Sequence, residues 1–411
     1  MAQSFSNTCP FRWHHDAARP RLTGMDDSAL KITIVPGLAE VSPDEWNAVA
    51  NPPGERYDPF LTWQFLEAME SSGAAAPTTG WVPRHLLIRG GNGRLRAAMP
   101  LYAKMHSRGE FVFDQSWADA YERAGGAYYP KLLSAVPFTP VTGRRRLVPR
   151  GPDEAQLKAA LLAGAIQLAE ENDLSSLHIN FVDTQDAEIL ANTGLLSRTD
   201  QQFRWVNDSY GTFDDFLAAL SSAKRKNLRK ERAKAQEGLE FVHLTGDAIT
   251  EDHLDHFFHF YMDTGSRKWG SPYLTRRSFS LLRERLAGDL LFIFAMEDGE
   301  PVAGAMNLIG SDTLYGRYWG CSEQRPMLHF ETCYYQAIDF AIARGLQYVE
   351  AGAQGGHKLA RGYVPVLTRS AHWIAHPGLR NAVADYLTRE RDAVESDMDY
   401  LIERTPFRKD T

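Results

Sequence analysis

Near the C-terminal end of the chain, a short stretch offers three chemically distinct polar groups. From Leu346 the sequence runs Leu-Gln-Tyr-Val-Glu-Ala-Gly-Ala-Gln-Gly-Gly-His-Lys-Leu-Ala-Arg-Gly-Tyr, so an apolar segment breaks at Gly355-Gly356 and then presents His357, Lys358 and Arg361. An imidazole can carry a proton, and an ammonium with a guanidinium can hold a phosphate or a developing oxyanion. The glycine pair permits positive φ and close approach of a ligand. A strand that ends in this way is where an open α/β sheet binds anions, the plain alternative being a basic loop.

Three further stretches have the residue types for a site. Tyr315-Gly-Arg-Tyr-Trp-Gly320 alternates glycine with large polar side chains, which lets a ligand come close to the backbone. Strand alternation puts Arg317 and Trp319 on one face and Tyr318 on the other. Between Asp114 and Arg123, the residues Trp117, Asp119, Tyr121 and Glu122 read as a pocket wall or, more simply, as a capped helix start. Lys224 to Lys234 holds seven Lys/Arg in eleven residues. Lys224, Arg225, Arg229 and Lys230 would suit the phosphates of a nucleotide or tRNA, unless the helix is a solvated one partly balanced by Glu231 and Glu237.

Several classes fall away. A formal net charge of −7 over 411 residues argues against a surface built throughout for nucleic acid. Cys9, Cys321 and Cys333 form no C-x-x-C pair, so no zinc site or disulfide framework is expected, which fits a cytoplasmic protein. His253, His256 and His259 fan around a helix and do not suit one metal ion. Gly-x-Ser-x-Gly, Walker A and a Rossmann fingerprint in context are absent. The longest apolar runs fall well short of the roughly 18 residues of a membrane span.

The elements that must position these residues form a repeated plan. His85–Arg89, the turn Gly90–Gly93 and Leu95–Lys104 predict a hairpin, followed by strands at Glu110–Phe113 and Arg146–Val148, a helix over Gln156–Asn172 and a strand over Ser176–Val182. Leu290–Met296, Pro301–Ile309 and Thr313–Gly320 repeat hairpin and strand, then come a helix over Glu331–Arg344 and a strand over Gln347–Ala351. The expectation is an α/β (α+β) protein of two similar lobes, 31–200 and 201–390, the second with a basic helical insertion. A loose arm (1–30) and a tail (391–411) flank them.

At the residues quoted above the sequence resembles the FemAB-like peptidoglycan biosynthesis/recognition family of N-acyltransferases. The resemblance is carried by Gly352 to Pro365, Ser370-Ala-His-Trp373, Trp117 to Gly125, Tyr128-Tyr-Pro-Lys131, Pro137 to Gly143 and Tyr315 to Gly320, and it covers about residues 35 to 390. It implies two GNAT-like lobes in tandem, with mixed sheets flanked by helices. The more distant Fem ligases, which move amino acids from aminoacyl-tRNA to a UDP-linked peptidoglycan precursor, have a basic helix echoed by Lys224–Arg232. Their late Phe-Lys motif is echoed by His357-Lys358, so Lys358 is carried over first.

The resemblance thus implies acyl transfer to an amine, with acyl-CoA or aminoacyl-tRNA as donor and a small molecule or peptidoglycan precursor as acceptor. No tightly bound cofactor or metal is expected. His357 or Glu350 is the candidate base; Lys358, Arg361 and Arg317 would steady the oxyanion or donor phosphates, with Tyr318 and Trp319 beside them. Trp117, Asp119, Tyr121 and Glu122 would line the acceptor side. One departure stands out. Where a GNAT lobe has a glycine-rich pyrophosphate loop, residues 321–330 have no glycine and include Pro326. The first lobe's counterpart, Thr139–Arg146, offers Arg144, Arg145 and Arg146 to an anion instead. A non-catalytic module that binds a precursor or tRNA is the competing reading.

Overall fold

A computed structural model describes residues 31–267, 272–352 and 355–408; the arm at 1–30 lies outside them. In chain order come β1 (Lys31–Val35), α1 (Pro43–Ala50), α2 (Trp63–Ser71), β2 (Trp81–Pro83), β3 (His85–Arg89), β4 (Leu95–Met99), β5 (Tyr102–Lys104) and α3 (Gln115–Arg123). Then follow β6 (Lys131–Ser134), α4 (Glu154–Glu171), β7 (Ser176–Ile179), α5 (Thr184–Asn192), β8 (Leu196–Val206), α6 (Phe213–Ala219) and α7 (Ser222–Ala235). The remainder is β9 (Glu240–Thr245), α8 (Glu251–Arg267), α9 (Arg276–Leu286), β10 (Leu290–Glu297), β11 (Glu300–Ile309), β12 (Thr313–Cys321), α10 (Leu328–Phe330), α11 (Gln336–Ala343), β13 (Tyr348–Glu350), β14 (Val364–Ile374) and α12 (Pro377–Ile402).

The chain forms two compact units. Unit 1 takes the residues up to Glu55, Phe60–Arg198 and Arg369–Arg389; unit 2 takes Arg56–Pro59, Thr199–Thr368 and Glu390 onward. In unit 1, β1, β3 and β4 make one small antiparallel sheet, and β2, β5, β6, β7 and the end of β14 follow one another in a second. The parallel pair β6–β7 is joined through α4, whose Leu161, Ala165 and Leu168 are buried in the core with Ile32, Leu86 and Leu177. In unit 2 the order is β8, β13, β12, β11, β10, β9, and the parallel pair β12–β13 is joined through α10 and α11. Its core gathers Trp205, Phe216, Ile293, Tyr335 and Ile338. The two βαβ crossovers are the repeated plan expected of two GNAT-like lobes.

Local chemistry explains the ends of the elements and where they differ from expectation. Pro43 opens α1 at a position that needs no N–H, with Asp44 and Glu45 in the first turn. The α6 start is a capping box in which the Thr212 and Asp215 side chains each accept from the other's backbone N–H, at 3.2 and 2.8 Å. The return strand of the first hairpin does not run through to Lys104: Pro100 has no N–H to offer, and β4 and β5 join different sheets. Glu110–Phe113 is not a strand, because Phe111 sits at φ 59 and the Glu110 carboxylate is turned inward onto Lys131 at 2.8 Å. Arg146–Val148 is reduced to a single bridge, Ala98 to Leu147.

The unit boundaries also differ from 31–200 and 201–390. Residues 371–374 of β14 pair with β7, and Leu379, Val383 and Leu387 of α12 pack with Trp117 and Tyr128, so this stretch belongs to unit 1. The expected tail continues α12 to Ile402, and Phe407 bridges to Leu220 in unit 2.

Candidate active site

In unit 2 the strands β12 and β13 pair only over Thr313–Tyr315 and Tyr348–Glu350. Beyond that point β12 runs on to Cys321, while the other chain leaves the sheet at Ala351 and at Gly352, whose φ is 75. A cleft opens in the fork. Gly316 sits where the strands part; a Cβ there would lie 3.2 Å from the Glu350 carbonyl oxygen and 3.4 Å from Asn307 Oδ1. Against β11, Met306 faces Tyr318 and Asn307 faces Gly316, so Arg317 is the inserted residue of a β-bulge. The bulge breaks the expected alternation: Arg317, Tyr318 and Trp319 all line the cleft.

The opposite wall comes from the helix after β12. One turn, Glu331–Tyr335, is wound as a π-helix, an irregularity frequent at functional sites. It brings Cys333 and Tyr334 to the cleft, and α10 adds His329, whose ring meets Trp319 edge-on at 5.2 Å. This pair also borders a second hollow, beside Arg325 and Glu323. None of Asn307, His329, Cys333 and Tyr334 was singled out as a site residue from sequence: nothing in a helical pattern announces the π-turn that brings Cys333 and Tyr334 inward, and Asn307 is a single polar residue in an apolar strand.

Gly356–Arg361 forms a 3₁₀ segment at the rim of the cleft. Lys358 is fully buried, and its Nζ donates to the Gly352 carbonyl at 2.7 Å. Burial, reinforced by the Arg317 cation and opposed by Cys333, pushes the ammonium down to about 8. His357 Nε2 lies 2.9 Å from the Tyr334 hydroxyl. Arg361 lies flat on Phe330, its Cζ 3.3 Å from the ring centroid, and donates to the His357 carbonyl at 2.8 Å and to Glu231 at 2.9 Å. Glu350 accepts from Arg204 Nε at 3.0 Å, which ties up its carboxylate. The structure therefore gathers Arg317, Tyr318, Trp319, His357, Lys358 and Arg361, with Glu350 at the floor of the fork in an ion pair.

The basic helix α7 divides by face. Leu228 and Ala235 are buried, and Arg232 reaches inward to the fully buried Glu331 at 2.9 Å and to Asp339 at 2.6 Å. Glu231 receives both Arg361 and the Tyr335 hydroxyl, the latter at 2.6 Å. Lys226, Arg229 and Lys230 are exposed and Lys224 and Arg225 half-buried; Arg229 meets Asp214 at 3.0 Å.

The remaining sequence candidates belong to unit 1, on α3. Asp119 and Glu122 are exposed, Tyr121 packs near His376 with centroids 5.5 Å apart, and Trp117 is buried edge-on to His372 at 5.1 Å. Asp114 is part of a buried cluster in which the Lys131 ammonium donates to Ser107 and Glu110, each at 2.8 Å, and to Asp114 itself. The arginines offered to an anion at 144–146 are all turned inward. Arg145 donates to the carbonyls of Asn180 and Val141 at 2.9 and 2.6 Å, Arg146 pairs with Asp186 at 2.7 Å, and Arg144 donates to the Ala50 carbonyl. The segment holding Arg145 runs beside the chain just after β7, with Gly143 N–H bonded to the Phe181 carbonyl at 2.9 Å, and so occupies in unit 1 the place that in unit 2 is an open fork.

The histidines at 253, 256 and 259 hold no metal cluster; among the described residues there is none. No described helix is long and apolar enough to cross a membrane.

Two tandem mixed α/β units, each built on a helix-linked parallel pair, define a protein of the GNAT fold. The chain belongs to the FemAB-like family, described as peptidoglycan biosynthesis/recognition, whose model matches residues 37–409. Among solved structures it is similar to FemX, at 14% identity over 84% of this chain and 98% of that one, with a TM-score of 0.53. A conserved protein of unknown function from Bacteroides thetaiotaomicron matches at 14% identity over 84% of this chain and all (100%) of that one, TM-score 0.50. L-PGS from Bacillus licheniformis matches at 11% identity over 82% and 98%, TM-score 0.47. At these identities the likeness is one of fold. No curated protein matches the chain.

Proposed function

We propose that unit 2 catalyses transfer of an acyl or aminoacyl group to an amine of a peptidoglycan precursor. The observation that carries this reading is the buried Lys358 ammonium, fixed on the Gly352 carbonyl at the edge of an open fork between parallel strands. By turning from the Gly352 carbonyl into the fork it would receive the oxyanion that forms as an amine attacks an acyl carbon. Arg317 adds positive charge on the same side, and the Tyr334 hydroxyl with His357 offers a route for the proton that leaves the nitrogen. Glu350, held by Arg204, is the weaker candidate for that proton.

For the donor, aminoacyl-tRNA is favoured over acyl-CoA. The N–H groups of Leu328, Phe330 and Glu331, which would cradle a pyrophosphate, are bonded back to the carbonyls of Arg325 and Met327 at 3.0–3.3 Å. The outward cations of α7 supply a surface for a polyanion instead. The test is transfer of a labelled aminoacyl group from tRNA, or of an acyl group from CoA, to a UDP-linked precursor by the purified protein. Product from tRNA alone is expected. Binding of the precursor with no turnover from either donor would refute the transferase reading in favour of a binding module.

A further inference from the structure

The cleft in unit 2 contains a polar atom that its surroundings leave unused. Asn307 on β11 is 1% exposed, and its Nδ2 donates to the Leu291 carbonyl at 3.3 Å. That contact fixes which end of the amide is which, since a carbonyl oxygen needs a donor opposite it. Oδ1 must therefore face the open side of Gly316, within the fork, where it is buried and has no hydrogen-bond partner among the described residues. A buried acceptor without a donor is costly unless a ligand supplies one.

The charges around it select the kind of donor. Arg317 and Tyr318 face the cleft from β12, His329 from α10, Cys333 and Tyr334 from the π-turn, and Lys358 sits behind Gly352. None of the described residues lining the cleft is a carboxylate, and the nearby Glu350 is held by Arg204. An ammonium ion would enter against two fixed cations with no counter-ion. A neutral N–H meets an acceptor.

We propose that the cleft takes a primary amine as its free base and that Asn307 Oδ1 accepts one of its N–H bonds, aiming the lone pair at the acyl carbon. The selection rests on the transfer reading above and assigns the amine to this cleft. In the step itself the lone pair forms the N–C bond, and the bond from that carbon to the leaving oxygen or sulfur breaks. The proton shed by nitrogen ends on the leaving group. The ammonium form is deprotonated in solution, before binding, so no strong base is needed in the cleft.

The test is binding, by calorimetry or ligand-observed NMR, of glycinamide and n-butylamine to the intact protein between pH 6 and pH 10. Affinity should follow the free-base fraction: about tenfold per pH unit, levelling near pH 8 for the α-amino-type amine and continuing past pH 9 for the lysine-type one. Asn307→Leu should weaken both about fivefold to tenfold at each pH. Asn307→Asp, which keeps the oxygen but adds a negative charge, should flatten the pH dependence. Lys358→Met, which removes one of the two cations, should make the rise shallower but keep the glycinamide break near pH 8, which separates it from titration of the lysine. Affinity that is flat or falls with rising pH, or that is unchanged in Asn307→Leu, would overturn the proposal. Binding needs no turnover, so this outcome stands apart from that of the transfer assay.

Discussion

Lys358→Met removes an ammonium that is wholly buried and hydrogen-bonded to the Gly352 carbonyl. Its folded-state value of about 8 against the ordinary 10.5 means that folding disfavours the charged form, by about 3 kcal/mol. Methionine of similar length fills the space without charge but leaves the Gly352 carbonyl unbonded, which takes back about 1 kcal/mol. The variant should therefore be more stable than the parent at pH 7, by about 2 kcal/mol. The sign with pH follows from proton binding. Between about pH 8 and 10.5 the unfolded chain still holds the proton and the folded one does not, so the parent gains stability as pH rises and the variant's advantage fades. Urea unfolding of both proteins at pH 7, 8.5 and 10 reads this directly. Transfer activity should fall by about 100-fold or more, the effect of removing a donor aimed at a developing oxyanion. A variant less stable than the parent at pH 7, or a difference constant across pH, would show that the buried charge is not held at the expense of stability. Undiminished activity would remove Lys358 from the chemistry.

Three further outcomes follow from the geometry of unit 2. Gly320→Ala would place a Cβ 2.3 Å from the Phe260 backbone, so α8 must shift from β12; a loss of about 2 kcal/mol or more in thermal or urea unfolding is expected. Arg232→Met leaves the fully buried Glu331 carboxylate without its main cation and should destabilise by about 3–5 kcal/mol, whereas Arg232→Met with Glu331→Met should recover most of that, measured in the same unfolding assay. Reversing Lys226, Arg229 and Lys230 to Glu should weaken tRNA binding and lower the slope of log affinity against log salt by about 2 in filter or fluorescence titrations, with the thermal midpoint nearly unchanged because these side chains point to solvent.

The parts legible in the sequence were those set by local pattern. Both hairpins, both long crossover helices and the cation-bearing turn after β13 follow from periodicity, glycines and caps that act over a few residues. The parts that were not legible depend on partners distant in sequence. Glu110–Phe113 has the residues of a strand, yet Lys131 twenty-one positions on draws Glu110 inward. Arg144, Arg145 and Arg146 look like an anion site until the carbonyls of Ala50 and Asn180 and the Asp186 carboxylate are found around them. Alternation on β12 fails at Arg317 because the bulge is defined by registry with β11, which residue types on β12 alone do not specify.

The same comparison explains why one unit carries the candidate centre. Both units have a helix-linked parallel pair, and both have polar residues where the two strands part. In unit 1 a guanidinium takes up the main-chain carbonyls there, and a stretch of chain lies along the residues that follow β7. In unit 2 the corresponding chain leads into α10, the strands stay apart, and Gly316 keeps the opening free of side chain. A tandem repeat that fills one fork and leaves the other open can keep the first for structure while polar groups in the second face a space that a ligand can enter. Asn307 Oδ1 is such a group, and the buried charge of Lys358 lies close behind it; each is unfavourable to the folded state taken alone. Buried groups of the same kind occur in unit 1 as well, the Asn180 amide and the Lys104 ammonium among them, so what singles out unit 2 is that Asn307 lines an open cleft that a partner can enter.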